Sequence, residues 1–287
     1  MKERKKVLLW LLIVAVLLAA SILTGNHAGQ SETIQQTMRD AVLHNENRIN
    51  LLGWKAVNPG LISGFVVTAI LLIAAAVLRI FWIPRFKYVP GRCQLVLEEV
   101  VGLFDHMAKT SSPRMNRFLG AYIFGAGVYI FVGTLFELFG FQAITTAGRA
   151  ITLPAPLSDV NGAIALGCLS YVVILSGGIA GNGIKGVKAT LKEFSLPISM
   201  SFRLFGALLS GLLVTELVYY YINLSYILPV VVGVLFTLLH AVIQSYVLTM
   251  LTAMFYGEVS QPEPETEKEP KHARARHRSH ENTPQAA

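Results

Sequence analysis

Charge is scarce in this sequence. Of its 287 residues only 14% are charged and 53% are hydrophobic, whereas soluble domains carry charge on about a quarter of their residues. That deficit excludes an ordinary soluble domain and leaves a polytopic membrane protein, all-α because its apolar runs have the length of spanning helices. Cysteine is nearly missing as well. Cys93 and Cys168 are the two present; one is expected on an inner surface and the other inside a membrane helix, so no disulfide framework can be built. No metal-ligand spacing, nucleotide motif or Ser-His-Asp set occurs. The stretch Gly178-Ile179-Ala180-Gly181-Asn182-Gly183-Ile184-Lys185 faintly suggests a phosphate cradle, but its lysine is displaced and no strand precedes it; it reads as a connector. The chain is therefore expected to carry no cofactor and no metal, and to perform no covalent chemistry alone. Its net charge of +7 does not form a nucleic-acid patch. The basic residues sit at the ends of apolar segments, where they orient helices.

What remains is apolar sequence, cut into segments. Residues 1–23 combine a basic start with an apolar run over residues 7–23, at the short limit for a span, and read as an anchor or a signal segment. An external polar segment follows over 24–59. The membrane domain occupies 60–257. Its first span ends before Arg85, Lys87 and Arg92, which places that end inside by the positive-inside rule. From Cys93 to Lys109, Leu95, Val96, Val100, Leu103, Phe104 and Met107 alternate with Glu98, Glu99, Asp105 and His106, the pattern of an amphipathic helix on the membrane surface. Further spans are expected over about 118–139 and 161–176, separated by an external loop with prolines 154 and 156 and followed by a glycine-rich cytoplasmic loop over 177–192. Two long segments, about 193–221 and 226–256, form an antiparallel, tilted hairpin turning at Asn223-Leu224-Ser225. Residues 258–287 make a cytoplasmic tail, disordered because it is nearly devoid of apolar residues. Its histidines (His272, His277 and His280) belong to that solvated tail. The fold is thus five core helices, one amphipathic surface helix and an N-terminal helix.

One residue breaks the apolar rule sharply. Arg203 lies inside a spanning segment, where a guanidinium costs at least roughly 3 kcal/mol and cannot shed its proton. Ser199 stands one turn before it, and Gly206, Ala207, Ser210 and Gly211 follow at steps of three and four. Small residues on one stripe let another helix approach closely in lipid. Glu216 lies thirteen residues on, about 20 Å along the axis and well over a third of a turn away, so it is no internal partner for Arg203. On the last segment Thr237, His240 and Gln244 share a stripe, with Gln244 expected near the depth of Arg203 and His240 suited to relay a proton. Glu137, Asp159 and Asn161 add polar groups at the external depth. Together these residues outline a water-accessible half-passage on one side of a fixed positive charge.

The segment Pro197-Ile198-Ser199-Met200-Ser201-Phe202-Arg203-Leu204-Phe205-Gly206 resembles the signature of subunit a of F-type ATP synthases. Gln244 to Phe255 resembles that family's last-helix motif, Pro90-Gly91 with Glu98 its amphipathic helix, and Ser158-Asp159-Val160-Asn161 the start of its fourth helix. The resemblance covers about residues 54–256 and implies the following. Arg203 is the essential stator arginine and Gln244 its neighbour. Glu137, Asp159 and Asn161 line the external half-channel. The rotor ring of c-type subunits, the peripheral-stalk b-type subunits and the remaining synthase subunits are partners, in a bacterial plasma membrane. Three positions depart from the family: Ala207 replaces an asparagine, Leu212 an acid or histidine, and Thr237 a titratable group. Glu216 and His240 are expected to take over the last two duties. The expected function is ion translocation, with a proton favoured over sodium. The alternative is a self-contained transporter whose Arg203 binds an anionic substrate.

Overall fold

A computed structural model describes residues 12, 49–51, 54–113, 116–144, 150–220 and 228–261, with the backbone alone for residues 50, 51, 54–56, 212, 215, 216, 218–220, 228–230 and 232. The N-terminal segment apart from Leu12, most of the external polar segment, the turn expected at residues 223–225 and the tail beyond Gln261 lie outside the described residues.

The first described elements are the short antiparallel strands β1 (Ile49–Leu51) and β2 (Trp54–Val57), with Ile49 opposite Val57. Helix α1 (Pro59–Val77) starts at once. Asn58 caps it by accepting a hydrogen bond from Gly60 N–H at 2.9 Å, and Pro59 occupies the first turn, where its missing N–H is harmless. The helix continues through a π-helical turn, Leu78–Trp82, and a 3-10 turn, Ile83–Arg85. Pro84 explains the change of pitch, since it cannot donate to the carbonyl four residues back and its ring crowds that turn. The whole span covers Pro59–Arg85, 27 residues.

Helix α2 (Arg92–Ser111) has three faces. Phe104 and Ala108 are buried against the bundle, Glu98, Glu99 and Asp105 face solvent, and Val96, Val100 and Leu103 form an exposed apolar flank. That division suits a helix at the membrane surface. Next come α3 (Asn116–Leu135), a 3-10 turn (Phe136–Phe139), the hairpin of β3 (Gln142–Ile144) with β4 (Ala150–Thr152), and a second 3-10 turn, Pro156–Ser158. The described residues of the external loop expected over 140–159 thus form a strand pair and a 3-10 turn. Leu153, Phe136 and Ile49 bury themselves there with Ile62 and Val67 of α1.

Helices α4 (Val160–Asn182), α5 (Ile184–Lys192), α6 (Ser195–Tyr220) and α7 (Leu228–Ser260) complete the chain. Here the structure corrects one expectation. Residues 177–192 are not a flexible loop: α4 runs six residues further than expected, breaks at Gly183 (φ +57°) and hands over to α5. The glycines serve packing. Gly177 lies under the Tyr256 ring, Gly178 against the Gly186 backbone and Gly181 against the Ser260 backbone, each with no room for a Cβ. In lipid such close contact is a main source of helix association. α5 folds back along α4, with the Tyr171 hydroxyl donating to the Thr190 carbonyl at 3.0 Å, and meets α6 at a bend of 50°.

Among the described residues four helices are long and apolar enough to span a membrane, and five if the bent pair α5–α6 counts as one span. The fold is that of an all-α membrane protein. α7 is its central post, packed against α2, α3, α4 and α6. Ser245 Oγ donates to the Gly127 carbonyl of α3 at 2.8 Å, and Asn182 Nδ2 donates to the Val259 and Gln261 carbonyls at 2.9 and 2.6 Å. With 33 residues, α7 is about 50 Å long. The apolar layer is about 30 Å thick, so α7 tilts or projects.

Candidate functional site

The site is built on α6. Pro197 falls in its first turn, where the lost donor would have been unpaired in any case. Advancing about 100° per residue, the helix turns Met200, Leu204 and Leu208 into the core, at 1%, 1% and 4% exposure. Ser199, Arg203, Gly206 and Ser210 fall on the exposed side. Ala207 and Gly211 are half-buried, and Gly211 turns toward α7. The small residues therefore form two edges of one smooth stripe, and Arg203 stands where they meet. Ser210 spends its hydroxyl on the Ala207 carbonyl of its own helix at 2.7 Å. Among the described residues no carboxylate pairs with the Arg203 guanidinium.

α7 supplies the opposing wall. A Cβ placed on Gly211 would stand 3.4 Å from Nδ1 of His240, so the imidazole lies directly against the α6 backbone. His240 also makes a tilted ring contact with Phe236, centroids 5.9 Å apart. The Gly211–His240 contact fixes the antiparallel register: Gln244 pairs in depth with Ala207, and Leu248 with Arg203. Gln244, 7% exposed, thus sits about one turn, or 6 Å, from the level of Arg203. Thr237 is half-buried, three residues before His240.

The remaining acids divide by location. α6 runs as regular helix through Tyr220, so the Glu216 backbone lies about 20 Å beyond Arg203 and roughly 140° around the axis. Asp159 precedes α4 beside the start of α1, where a Cβ on Gly60 would come 2.8 Å from the Asp159 Cβ. Asn161 is exposed in the first turn of α4, and Glu137 is half-buried in the turn that closes α3. Pro156 packs on Gly133 of α3, and the same turn touches α1, α4 and α6. Glu137, Asp159 and Asn161 therefore share the end of the bundle toward which α6 runs.

At the opposite end α4, α5, α6 and α7 enclose a polar cavity of about 630 Å³. Lys185, Lys192, Glu193 and Glu258 line it together with Asn182 and Thr190. Sequence reasoning missed Glu193 and Glu258, because each follows a polar or glycine-bearing stretch that reads as a segment end. It also missed Asn182, whose amide ties the ends of α4 and α7 together; the flanking Gly181 and Gly183 were the available signal.

These features define a multi-pass helical membrane protein whose one charge on α6's small-residue stripe faces out of its own bundle, with polar groups toward both ends of the helices. The chain belongs to the ATP synthase A chain family, whose sequence model matches residues 63–257. It is similar to the ATP synthase subunit a proteins of two strains of Cereibacter sphaeroides, 27% identical over 199 residues in each case. Those matches cover 65% of this chain and 76% of each relative.

Proposed function

We propose that this chain is the membrane stator subunit of a rotary, proton-translocating ATP synthase, with Arg203 facing the carboxylates of a rotor ring of c-type subunits. One observation carries the reading. Arg203 stands without a carboxylate partner among the described residues, on the exposed stripe of Ser199, Gly206 and Ser210. A permanent charge so placed calls for an acid from outside the chain, and the small residues let its helix come close.

The mechanism follows from electrostatics. A rotor carboxylate opposite Arg203 is held as the anion, because a nearby positive charge lowers an acid's pKa. A proton arriving from the end that holds Glu137, Asp159 and Asn161 neutralises the next carboxylate, with Glu216 and His240 as relays on α6 and α7. The neutral acid then enters lipid at modest cost. It releases its proton toward Ser199 and the cavity of Lys185, Glu193 and Glu258. Gln244, one turn from Arg203, supplies a neutral hydrogen-bonding partner beside the charge. Arg203 blocks a direct path between the two sides. Each charge crossing yields about 2.3 kcal/mol per 100 mV, which drives rotation and hence ATP synthesis by other subunits. The basic residues Arg85, Lys87 and Arg92 support, by the positive-inside rule, a cytoplasmic side for the end of the first span and for the C-terminal end of α7, in a bacterial plasma membrane. Peripheral-stalk b-type subunits hold the chain against the torque.

The rival, a self-contained transporter binding an anionic substrate, needs Arg203 inside an enclosed cavity near mid-membrane. The exposure of Arg203 speaks for the stator. Substitution Arg203→Lys tests the choice, because lysine can lose its proton in a desolvated site. The assembled complex is expected to lose proton-driven ATP synthesis. Retained synthesis would overturn the scheme, and transport by the purified chain alone in liposomes would establish the rival.

A further inference from the structure

The corner between α1 and α2 has no part in the rotor scheme, yet it is a built site. Where α1 ends, Trp82 turns toward α2 and Phe124 closes the groove from α3. The result is an almost wholly apolar cavity of about 490 Å³, lined also by Val96, Leu97, Val100 and Val101. This lies within the usual range of small-molecule sites. It adjoins a second cavity of about 610 Å³ that shares Trp82, Arg92 and Cys93 with the first and is rimmed by Arg85 and Lys87. Among the described residues none of these three cations is paired with a carboxylate. The nearest acid on α2, Glu98, is engaged instead by Gln94 Nε2 at 2.7 Å.

Gln94 also makes the corner rigid. Its side chain accepts from Lys87 N–H at 3.1 Å and donates to the Lys87 carbonyl at 3.0 Å. The Lys87 backbone is therefore tied to the first turn of α2, beside the apolar groove.

We propose that this corner binds one anionic phospholipid of the inner leaflet, with its phosphate on Arg85, Lys87 and Arg92 and an acyl chain in the groove beneath Trp82. Three features select that occupant. The cations and the apolar lining are continuous, as head and tail are in a lipid. Trp82 sits at the junction, where an amphipathic ring prefers to lie. Basic pockets between membrane helices on the cytoplasmic side recognise anionic headgroups. A partner helix would instead favour a stripe of small residues, and the groove presents Trp, Val, Leu and Phe. The inference rests on the orientation proposed above but not on rotor coupling, so either can fail alone.

The test is native mass spectrometry of the detergent-extracted complex containing the full chain, delipidated and then titrated with phosphatidylglycerol, phosphatidylcholine or inorganic phosphate. The expected result is one tightly held phosphatidylglycerol that neither phosphatidylcholine nor phosphate displaces. Arg85→Gln with Arg92→Gln should weaken it by about 25-fold, at roughly fivefold per basic residue. Val100→Trp, which keeps every charge and fills the groove, should remove the same lipid with helix orientation untouched. Equal retention of phosphatidylcholine, displacement by phosphate alone, wild-type retention in both variants, or a partner protein's helix lying in the groove would each overturn the proposal.

Discussion

Gly167 is where the position of Arg203 is most open to a steric test. A Cβ added there would collide with Ser201 Oγ, and it would stand 3.0 Å from the Pro197 carbonyl oxygen and 3.2 Å from the Ser201 nitrogen. Ser201 Oγ has little freedom to withdraw, since it donates to Pro197 O at 2.6 Å. Two of the three obstacles are backbone atoms of α6, so rotation of one side chain cannot relieve them; α4 and α6 have to part. Overpacking of this kind costs about 1–3 kcal/mol, a factor of about 5 to 150 in an equilibrium. Arg203 is two residues from Ser201 and moves with it. Gly167→Ala should therefore lower both the amount of assembled complex and the proton-driven ATP synthesis per assembled complex in inverted vesicles. Adding Ser201→Ala, which removes the colliding oxygen but not the backbone contacts, should recover part of the loss. Wild-type assembly and wild-type synthesis in Gly167→Ala would refute the close approach of α4 and α6 on which the placement of Arg203 depends.

Other substitutions probe separate parts of the account. Gly211→Val should press on His240 and slow proton uptake by the rotor, whereas Gly211→Ala, whose Cβ would stand 3.4 Å from the ring, should have a small effect; equal rates for both would remove the α6–α7 contact from the pathway. Glu216→Gln should slow proton uptake without changing assembly, and an unchanged rate would exclude it as a relay. Asn182→Ala deletes two hydrogen bonds to the end of α7 and should destabilise the extracted chain by about 1–3 kcal/mol, read as a lowered thermal midpoint. Ser245→Ala should cost less, about 0.6–1.7 kcal/mol as for other interhelical bonds in membranes.

Hydropathy and the placement of lysine and arginine made the order of helices legible in the sequence. In a membrane those two signals reflect the dominant energies, and both act locally along the chain. The amphipathic character of α2 was equally visible, since Phe104 and Glu98 alternate at helical spacing, whereas the division of its apolar side into a buried face and an exposed flank depends on the neighbouring helices. Residues 177–192 misled for a physical reason. Glycine breaks helices in water, but Gly177, Gly178 and Gly181 lie within one in the bundle, because each admits a neighbouring helix or ring that no sequence window contains. The hairpin of β3 and β4 was hidden similarly; its short strands gain their burial from α1 and α3. At the site, the stripe around Arg203 followed from periodicity, whereas the Gly211–His240 contact needed the register of two helices. The polar cavity of Lys185, Glu193 and Glu258 draws on four helices and no linear motif.

The central claim is that the Arg203 stripe meets a moving ring of acids, and cysteine cross-linking measures this most directly. With Cys93 and Cys168, both free and exposed, replaced by serine, single cysteines at Gly206, Ser210 and the buried Leu204 are paired with a cysteine beside the rotor carboxylate. The account predicts cross-links from positions 206 and 210 to the ring, none from 204, and loss of rotation once they form. Cross-linking absent from both stripe positions but present on the far face of α6, at Ile198 or Phe205, would contradict it.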